Sequence, residues 1–261
     1  MQRFPARVLC AAAFIIFGAA VGRGQAPDAD SPVVPVYQEP HHRQVFQHGP
    51  MRILDLQIPP GDRSWFHSHE SPVLYVTLGT SQTRTQNLGE DWGGGGRGGG
   101  GRAGGGRGGR RAAPAGPSAA LVSQVVRATS TTSYAEQAIT HRLENIGTGL
   151  FRAMVVINET AGDDATSSQV AGFSSEAELA NRWFRAYRVA LEPGATSAPH
   201  VHRAPVAVIQ ATAGTGLGAG AMTWEFNVPG QWAFFDAGDR HEFRNEGDGR
   251  IELIEVEIRG Q

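Results

Sequence analysis

Lysine is absent from this sequence, and all 23 Lys-plus-Arg positions are arginine. That bias is read as GC-rich coding composition. Set against 25 acidic residues, the arginines leave a formal charge of −2, which excludes a nucleic-acid binder held by overall charge. Cysteine occurs once, as Cys10, so a disulfide framework is excluded. There is no G-x-S-x-G, no P-loop, and no apolar run long enough for an ordinary membrane span. Helical patterning is scarce too. Only Ser174–Trp183, with Glu176 and Glu178 in its first turn, reads as a helix.

What is present begins with a leader. Arg3 and Arg7 precede the apolar run Val8–Val21, and Gly24-Gln25-Ala26 supplies small residues for cleavage. Residues 1–26 are therefore expected to be a signal peptide, with a buried N-terminal helix as the alternative. Cys10 lacks a lipobox-like context, so no stable membrane anchor is expected and the mature chain would be secreted or periplasmic. Losing Arg3, Arg7 and Arg23 with the leader takes the charge from −2 to −5 and leaves no thiol.

The mature part is an internal repeat. Pro60-Gly61-x5-His67-x-His69-x2-Pro72-Val73 matches Pro193-Gly194-x5-His200-x-His202-x2-Pro205-Val206 without a gap. Further on, His141-x3-Asn145-x-Gly147-x-Gly149 matches His241-x3-Asn245-x-Gly247-x-Gly249. The first copy is longer by Gly93–Pro117, mostly Gly with Arg97, Arg102, Arg107, Arg110 and Arg111. Such a segment cannot bury apolar surface and is expected to be a disordered, solvated loop. Its likeness to an RNA-binding RGG tract is weak in an exported chain, and no nucleic-acid partner is expected.

Short apolar or alternating runs predict strands at Met51–Ile58, Pro72–Leu78, Leu121–Val126, Leu150–Ile157, Arg185–Leu191, Pro205–Ala211, Met222–Val228 and Ile251–Ile258. Turn residues between them point to a sandwich or barrel. In a strand, residues i and i+2 share a side, so His67 pairs with His69 and His200 with His202. His141 and His241 can each complete a trio. One H-x-H is more often incidental than functional, but six of the nine histidines fall in the two repeated sets. Burying that many imidazoles together calls for a cation. Three imidazoles around a divalent ion leave positions open for water, dioxygen or substrate. The other three, His41, His42 and His48, read as surface or strand-packing residues.

Gly61-x5-His67-x-His69 and Gly194-x5-His200-x-His202 resemble the first motif of the cupin superfamily. Pro229-Gly230-x5-Asp236-x-Gly238-x2-His241-x3-Asn245 resembles the second, of which copy one keeps only His141-x3-Asn145. The resemblance implies an all-β chain with two jelly-roll type cupin β-barrels, residues 27–166 (with the 93–117 insert) and residues 170–261. It also implies a glutamate shortly after H-x-H as a fourth metal ligand. Here Pro72, Val73 and Leu74, or Pro205, Val206 and Ala207, fill those positions. No acid is therefore expected at either site, and the ion would keep its full +2 charge. That departs from manganese oxalate decarboxylases and is more similar to three-histidine iron cupins such as gentisate-type and diketone-cleaving dioxygenases.

The expected metal ligands are His67, His69, His141, His200, His202 and His241. The metal would be a divalent Fe(II), Zn, Mn, Ni or Cu ion. The expected function is an exported metal-binding bicupin. Two readings stand: a dioxygenase-like oxidoreductase acting on a small anionic or chelating molecule, with a lyase or isomerase behind it, or a non-catalytic metal or small-molecule binding or sensor protein. Continued pleating would turn Ser71, Val73 and Tyr75 inward in barrel 1, against Ala204, Val206 and Val208 in barrel 2. Tyr75 is thus the candidate catalytic residue, with ordinary barrel packing as its alternative, and barrel 1 is expected to be the more reactive.

Overall fold

The structure, a computed structural model, describes residues 32–93, 96–97, 128–163 and 176–260. All of these belong to one compact unit. The first half supplies β1 (Val33–Pro35), β2 (His42–His48), β3 (Met51–Ile58), β4 (Phe66–His69), β5 (Val73–Gly79), β6 (Gln82–Asn87), β7 (Gly96–Arg97), β8 (Ala128–Thr131), β9 (Ile139–Asn145) and β10 (Phe151–Asn158). They form two five-stranded sheets, β1-β4-β9-β6-β7 and β2-β3-β10-β5-β8.

The second half supplies β11 (Leu179–Ala180), β12 (Phe184–Leu191), β13 (His200–Val201), β14 (Val206–Gln210), β15 (Gly216–Ala219), β16 (Thr223–Phe226), β17 (Trp232–Phe235), β18 (Arg240–Asn245) and β19 (Ile251–Ile258). Their sheets run β11-β12-β19-β14-β17 and β13-β18-β15-β16. Neither half lends a strand to the other. The architecture is all-β, two jelly-roll type β-barrels side by side.

Burial follows the pleat. On β10, Val155 and Ile157 face the interior of barrel 1. Met154 and Val156 face outward into a second core shared with Ile254, Val256 and Ile258 of β19. Both faces of these strands are therefore dry, and they read as near-continuous apolar runs. The shared core, which also holds Met51, Ile53, Leu74 and Ile209, packs one barrel against the other.

The conserved-looking spacings within the repeat have local causes. Gly61 and Gly194 adopt φ of +79° and +74°, which a side chain would strain. Asn145 donates its amide to the carbonyls of Ile58 and Gly149, and Asn245 donates to Leu191 and Gly249. Each Asn side chain also accepts from the glycine two residues on. The H-x3-N-x-G-x-G block is thus a buried clamp that fixes the end of the histidine-bearing strand.

Two expectations are corrected. The helix predicted over Ser174–Trp183 is not formed in its described part. Leu179–Ala180 is strand, paired antiparallel with β12, and the Asn181 side chain accepts from the Trp183 and Phe184 amides to close a turn. Strand pairing and this turn override the weak helical signal of the two glutamates. Within the Gly/Arg-rich segment, Gly96–Arg97 pairs with β6 and is strand, not disordered. The rest of 94–117, the expected strand Leu121–Val126 and the 1–26 leader lie outside the described residues. Among the described residues no helix is long and apolar enough to cross a membrane.

Candidate metal centres

The topology brings both trios together. β4 and β9 are antiparallel neighbours with His67 opposite His141, and β13 and β18 repeat this with His200 opposite His241. In each trio the available donor atoms lie within 4.8 Å of one another. His67, His69, His200, His202 and His241 are buried, and His141 is half-buried. In three of the six, Nδ1 meets a main-chain carbonyl two residues back: His67 with Trp65, His200 with Ala198, and His241 with Asp239. A proton on Nδ1 serves that contact and leaves Nε2 turned to the interior as the metal-binding atom.

Barrel 2 contains an acid after all. Glu255, on β19, is fully buried and its Oε2 lies 2.9 Å from His200 Nε2, 2.7 Å from His202 Nε2 and 3.6 Å from His241 Nε2. Glu257, two residues on and on the same face, contacts His202 Nδ1 at 2.8 Å. The expectation of an acid-free site is therefore corrected for barrel 2. The carboxylate arrives from the last strand, not from the segment after H-x-H. Burial opposes the charges here, yet the contacts with Glu255 and Glu257 raise the His202 pKa to about 9. Burial would likewise raise the Glu255 carboxyl, but the imidazoles hold it well below the usual carboxylate range.

Barrel 1 differs at those two positions. The strands superimpose by register: β10 pairs Val155 with Leu54 and Ile157 with Arg52, where β19 pairs Glu255 with Tyr187 and Glu257 with Arg185. Val155 and Ile157 therefore stand in place of the two glutamates, and His69 Nδ1 is buried with no hydrogen-bond partner. Burial pushes His67 and His69 well below the usual imidazole pKa and His141 down to about 4. The nearby His42 ring adds to the effect at all three.

A fourth histidine, His42, lies beside the barrel 1 trio. Of the surface and strand-packing roles read for it, it takes the buried one on β2, 2% exposed, and its ring centroid is 4.4 Å from that of His67. Its Nδ1 lies 2.6 Å from Oε2 of Glu39, which is 1% exposed. Glu39 also takes the His41 and Trp65 amides. His41 is partly buried between Glu39 and Asp62. His48 is exposed, stacked beside Phe46 and near Asp236, in keeping with the packing role expected of it.

Tyr75 does face the interior of barrel 1, half-buried beside Val73 and Val155. It is linked to the histidines through Tyr134. The two hydroxyls are hydrogen-bonded, and the Tyr134 ring stacks on His69 at 4.6 Å. In barrel 2 a phenylalanine does the stacking, Phe235 on His241 at 4.1 Å. Beyond His69 lies a cavity of about 110 Å³, lined by Tyr37, Ser68, Glu70, Ser71, Ile157 and Glu159 among others.

Sequence reasoning missed Glu255, Glu257, Glu39 and His42. Glu255 and Glu257 did leave a trace: two acids at i and i+2 in an apolar strand, opposite Val155 and Ile157 in the repeat. Alternation alone does not say which way they face, because the packing of both faces of β19 is not visible in one sequence.

The donor sets suit a divalent ion. Buried His67 Nε2, His69 Nδ1, His241 Nε2 and Glu255 Oε1 have no hydrogen-bond partner, and buried polar atoms are seldom left so. Imidazole with one carboxylate suits iron, zinc or manganese, and imidazole alone suits iron, zinc, copper or nickel.

No protein-family model and no curated protein matches the sequence. Among solved structures, AerE from Microcystis aeruginosa is similar over 82% of this chain and 90% of its own, with a TM-score of 0.51 and 11% identity. A cupin 2 conserved barrel domain protein from Leptotrichia buccalis aligns over 83% and 87%, with a TM-score of 0.45 and 10% identity. Oxalate decarboxylase of Bacillus subtilis, described with its Mn(II) centres, aligns over 81% and 70%, with a TM-score of 0.46 and 9% identity. At such identities the likeness is one of fold. What the chain shares with them is the fold, two jelly-roll barrels, here with a histidine trio inside each.

Proposed function

We propose that the chain is an exported, metal-dependent bicupin whose reactive centre lies in barrel 1, with barrel 2 holding a structural or auxiliary ion. The observation that carries the reading is the unequal surroundings of the two trios. His69 borders the cavity of about 110 Å³ and keeps an unpartnered Nδ1. The barrel 2 donors are buried and already cross-linked through Glu255 and Glu257.

The reaction class favoured is dioxygenase-like oxidation of a small chelating molecule, in which both atoms of dioxygen enter the product and no further reductant is needed. A redox-active ion, when bound, would supply Lewis acidity and electrons towards dioxygen. The chain's own residues do the rest. His67 and His141 hold the site from adjacent strands. The Tyr134–Tyr75 pair keeps a phenolic proton beside His69, since burial raises both hydroxyl pKa values. Glu70 and Glu159 at the cavity wall favour a substrate that offers hydrogen-bond donors and disfavour polyanions.

A non-catalytic metal-binding protein is the second reading, favoured by the buried four-donor set of barrel 2. The deciding experiment is elemental analysis of protein folded in its native compartment, followed by oxygen-uptake screening with Fe(II). Stoichiometric iron with substrate-dependent uptake selects the enzyme. Tightly held zinc without turnover selects the binding protein. N-terminal sequencing of protein recovered outside the cytoplasm tests export; a chain still starting at Met1 overturns it.

A further inference from the structure

Barrel 1 contains more imidazole than its trio. His42 enters from β2, in the sheet that faces the trio, and is buried against it. Its ring centroid is 4.4 Å from that of His67 and 6.4 Å from that of His69. Within the trio the centroids are 4.8–5.1 Å apart. One ring nitrogen of His42 lies within 4.8 Å of donor atoms of both Glu39 and His67, a set that shares His67 with the trio but does not include His69 or His141.

Glu39 tells which nitrogen is available. Its Oε2 takes the amides of His41 and His42 together with His42 Nδ1. Its Oε1 takes His41 Nδ1 and the Trp65 amide. With five donors on two oxygens, this carboxylate is already satisfied and is a poor candidate to bind a cation directly. It instead commits His42 Nδ1 and leaves Nε2 as the free donor. Barrel 2 has the same arrangement at His202: Glu257 takes its Nδ1, and its Nε2 turns to the cluster. A carboxylate on the outer nitrogen of a ligating histidine fixes its tautomer and raises its basicity.

We infer that His42 is the fourth donor of the barrel 1 centre, oriented by Glu39. This rests on the proposed occupancy of barrel 1 by a metal. The two barrels then fill the fourth place differently, each from the sheet opposite the H-x-H pair: a neutral imidazole in barrel 1, the Glu255 carboxylate in barrel 2. An all-nitrogen centre keeps the ion's full +2 charge and suits iron as well as copper, nickel or zinc. The set with a carboxylate lowers the charge to +1 and better accommodates manganese or iron.

The test uses Cu(II) alone as probe, titrated into the metal-free full chain carrying His200→Ala and His241→Ala to silence barrel 2. His42→Gln in this background should weaken Cu(II) binding at least about tenfold, the lower end of what even outer partners of a ligand contribute. It should also remove one nitrogen coupling from the copper EPR spectrum. Glu39→Gln should weaken binding while keeping the nitrogen count. Unchanged affinity and spectrum in His42→Gln overturn the inference and leave the three-histidine site standing. Should His42→Gln fail to fold, the parent alone decides: four nitrogen couplings support the inference and three overturn it. A parent that binds no copper overturns the metal reading of barrel 1 as well.

Discussion

The two barrels share a scaffold and differ in what they place inside it. The Asn clamps share two donated bonds and one accepted glycine amide, Asn145 also taking the Ser81 hydroxyl, and the trio strands match in register. The difference is concentrated on one strand, where Val155 and Ile157 of β10 face the histidines of barrel 1 and Glu255 and Glu257 of β19 face those of barrel 2. Two side chains turn a set of neutral, desolvated imidazoles into a charged network. Duplication thus allowed a cation site to diverge without altering the fold around it.

The largest way to break this comparison is Glu255→Ala. It removes one partner of a buried ion pair and leaves His202 with Glu257 alone, at a cost of about 3 kcal/mol in the metal-free protein. It should abolish metal retention in barrel 2 and spare barrel 1, as read by denaturant unfolding and by metal content of the purified chain. Equal metal loss from both barrels would show that the centres are not independent.

Next come the clamps. Asn145→Ala and Asn245→Ala each take the side-chain donor from one buried carbonyl, that of Ile58 or Leu191, for about 1–3 kcal/mol. Chemical denaturation should give similar values for the two. A clear inequality would mean the scaffolds are less alike than their hydrogen bonds.

The pH dependence of the metal-free protein sharpens the contrast. In barrel 1, burial lowers the folded pKa values, with His141 at about 4. Stability from the neutral rings is complete above the unfolded value of about 6.5 and is lost as pH falls towards 4. In barrel 2 the folded pKa of His202 is raised to about 9, so its contribution is present below about 6.5 and is lost as pH rises through 9. The Tm should therefore fall on both sides, by about 2–4 °C for each kcal/mol lost. His141→Gln should flatten the acid limb and His202→Gln the alkaline one. An acid limb that survives His141→Gln unchanged contradicts the assignment.

The smallest effect is Tyr134→Phe, which gives barrel 1 the same kind of stacking ring that Phe235 gives barrel 2. Losing the hydroxyl bond to Tyr75 should cost about 1 kcal/mol. Metal content should stay unchanged while any substrate-dependent oxygen uptake falls. Full uptake in this variant would remove the phenolic pair from the reaction.

Much of the molecule was legible beforehand. The strands at Met51–Ile58 and Ile251–Ile258 coincide with the expected residues because their composition and flanking turns are local signals. The six trio histidines were readable because a repeat turns a weak H-x-H into a pattern. The short strands carrying His67 and His200 were not predicted as strands, since two to four residues give no usable period. Leu179–Ala180 was taken for helix because the strand that captures it, β12, acts only in three dimensions.

The sequence by itself determined the duplication, the all-β character and the identity of the six histidines, since spacing and side-chain period are written along the chain. Only the tertiary structure decided which acids and which seventh histidine join them. Glu255 stands 53 to 55 positions from its nearest histidine contacts, and His42 meets its trio from the opposite sheet. The closure of each barrel, not any local pattern, sets what lies across the interior from a given side chain.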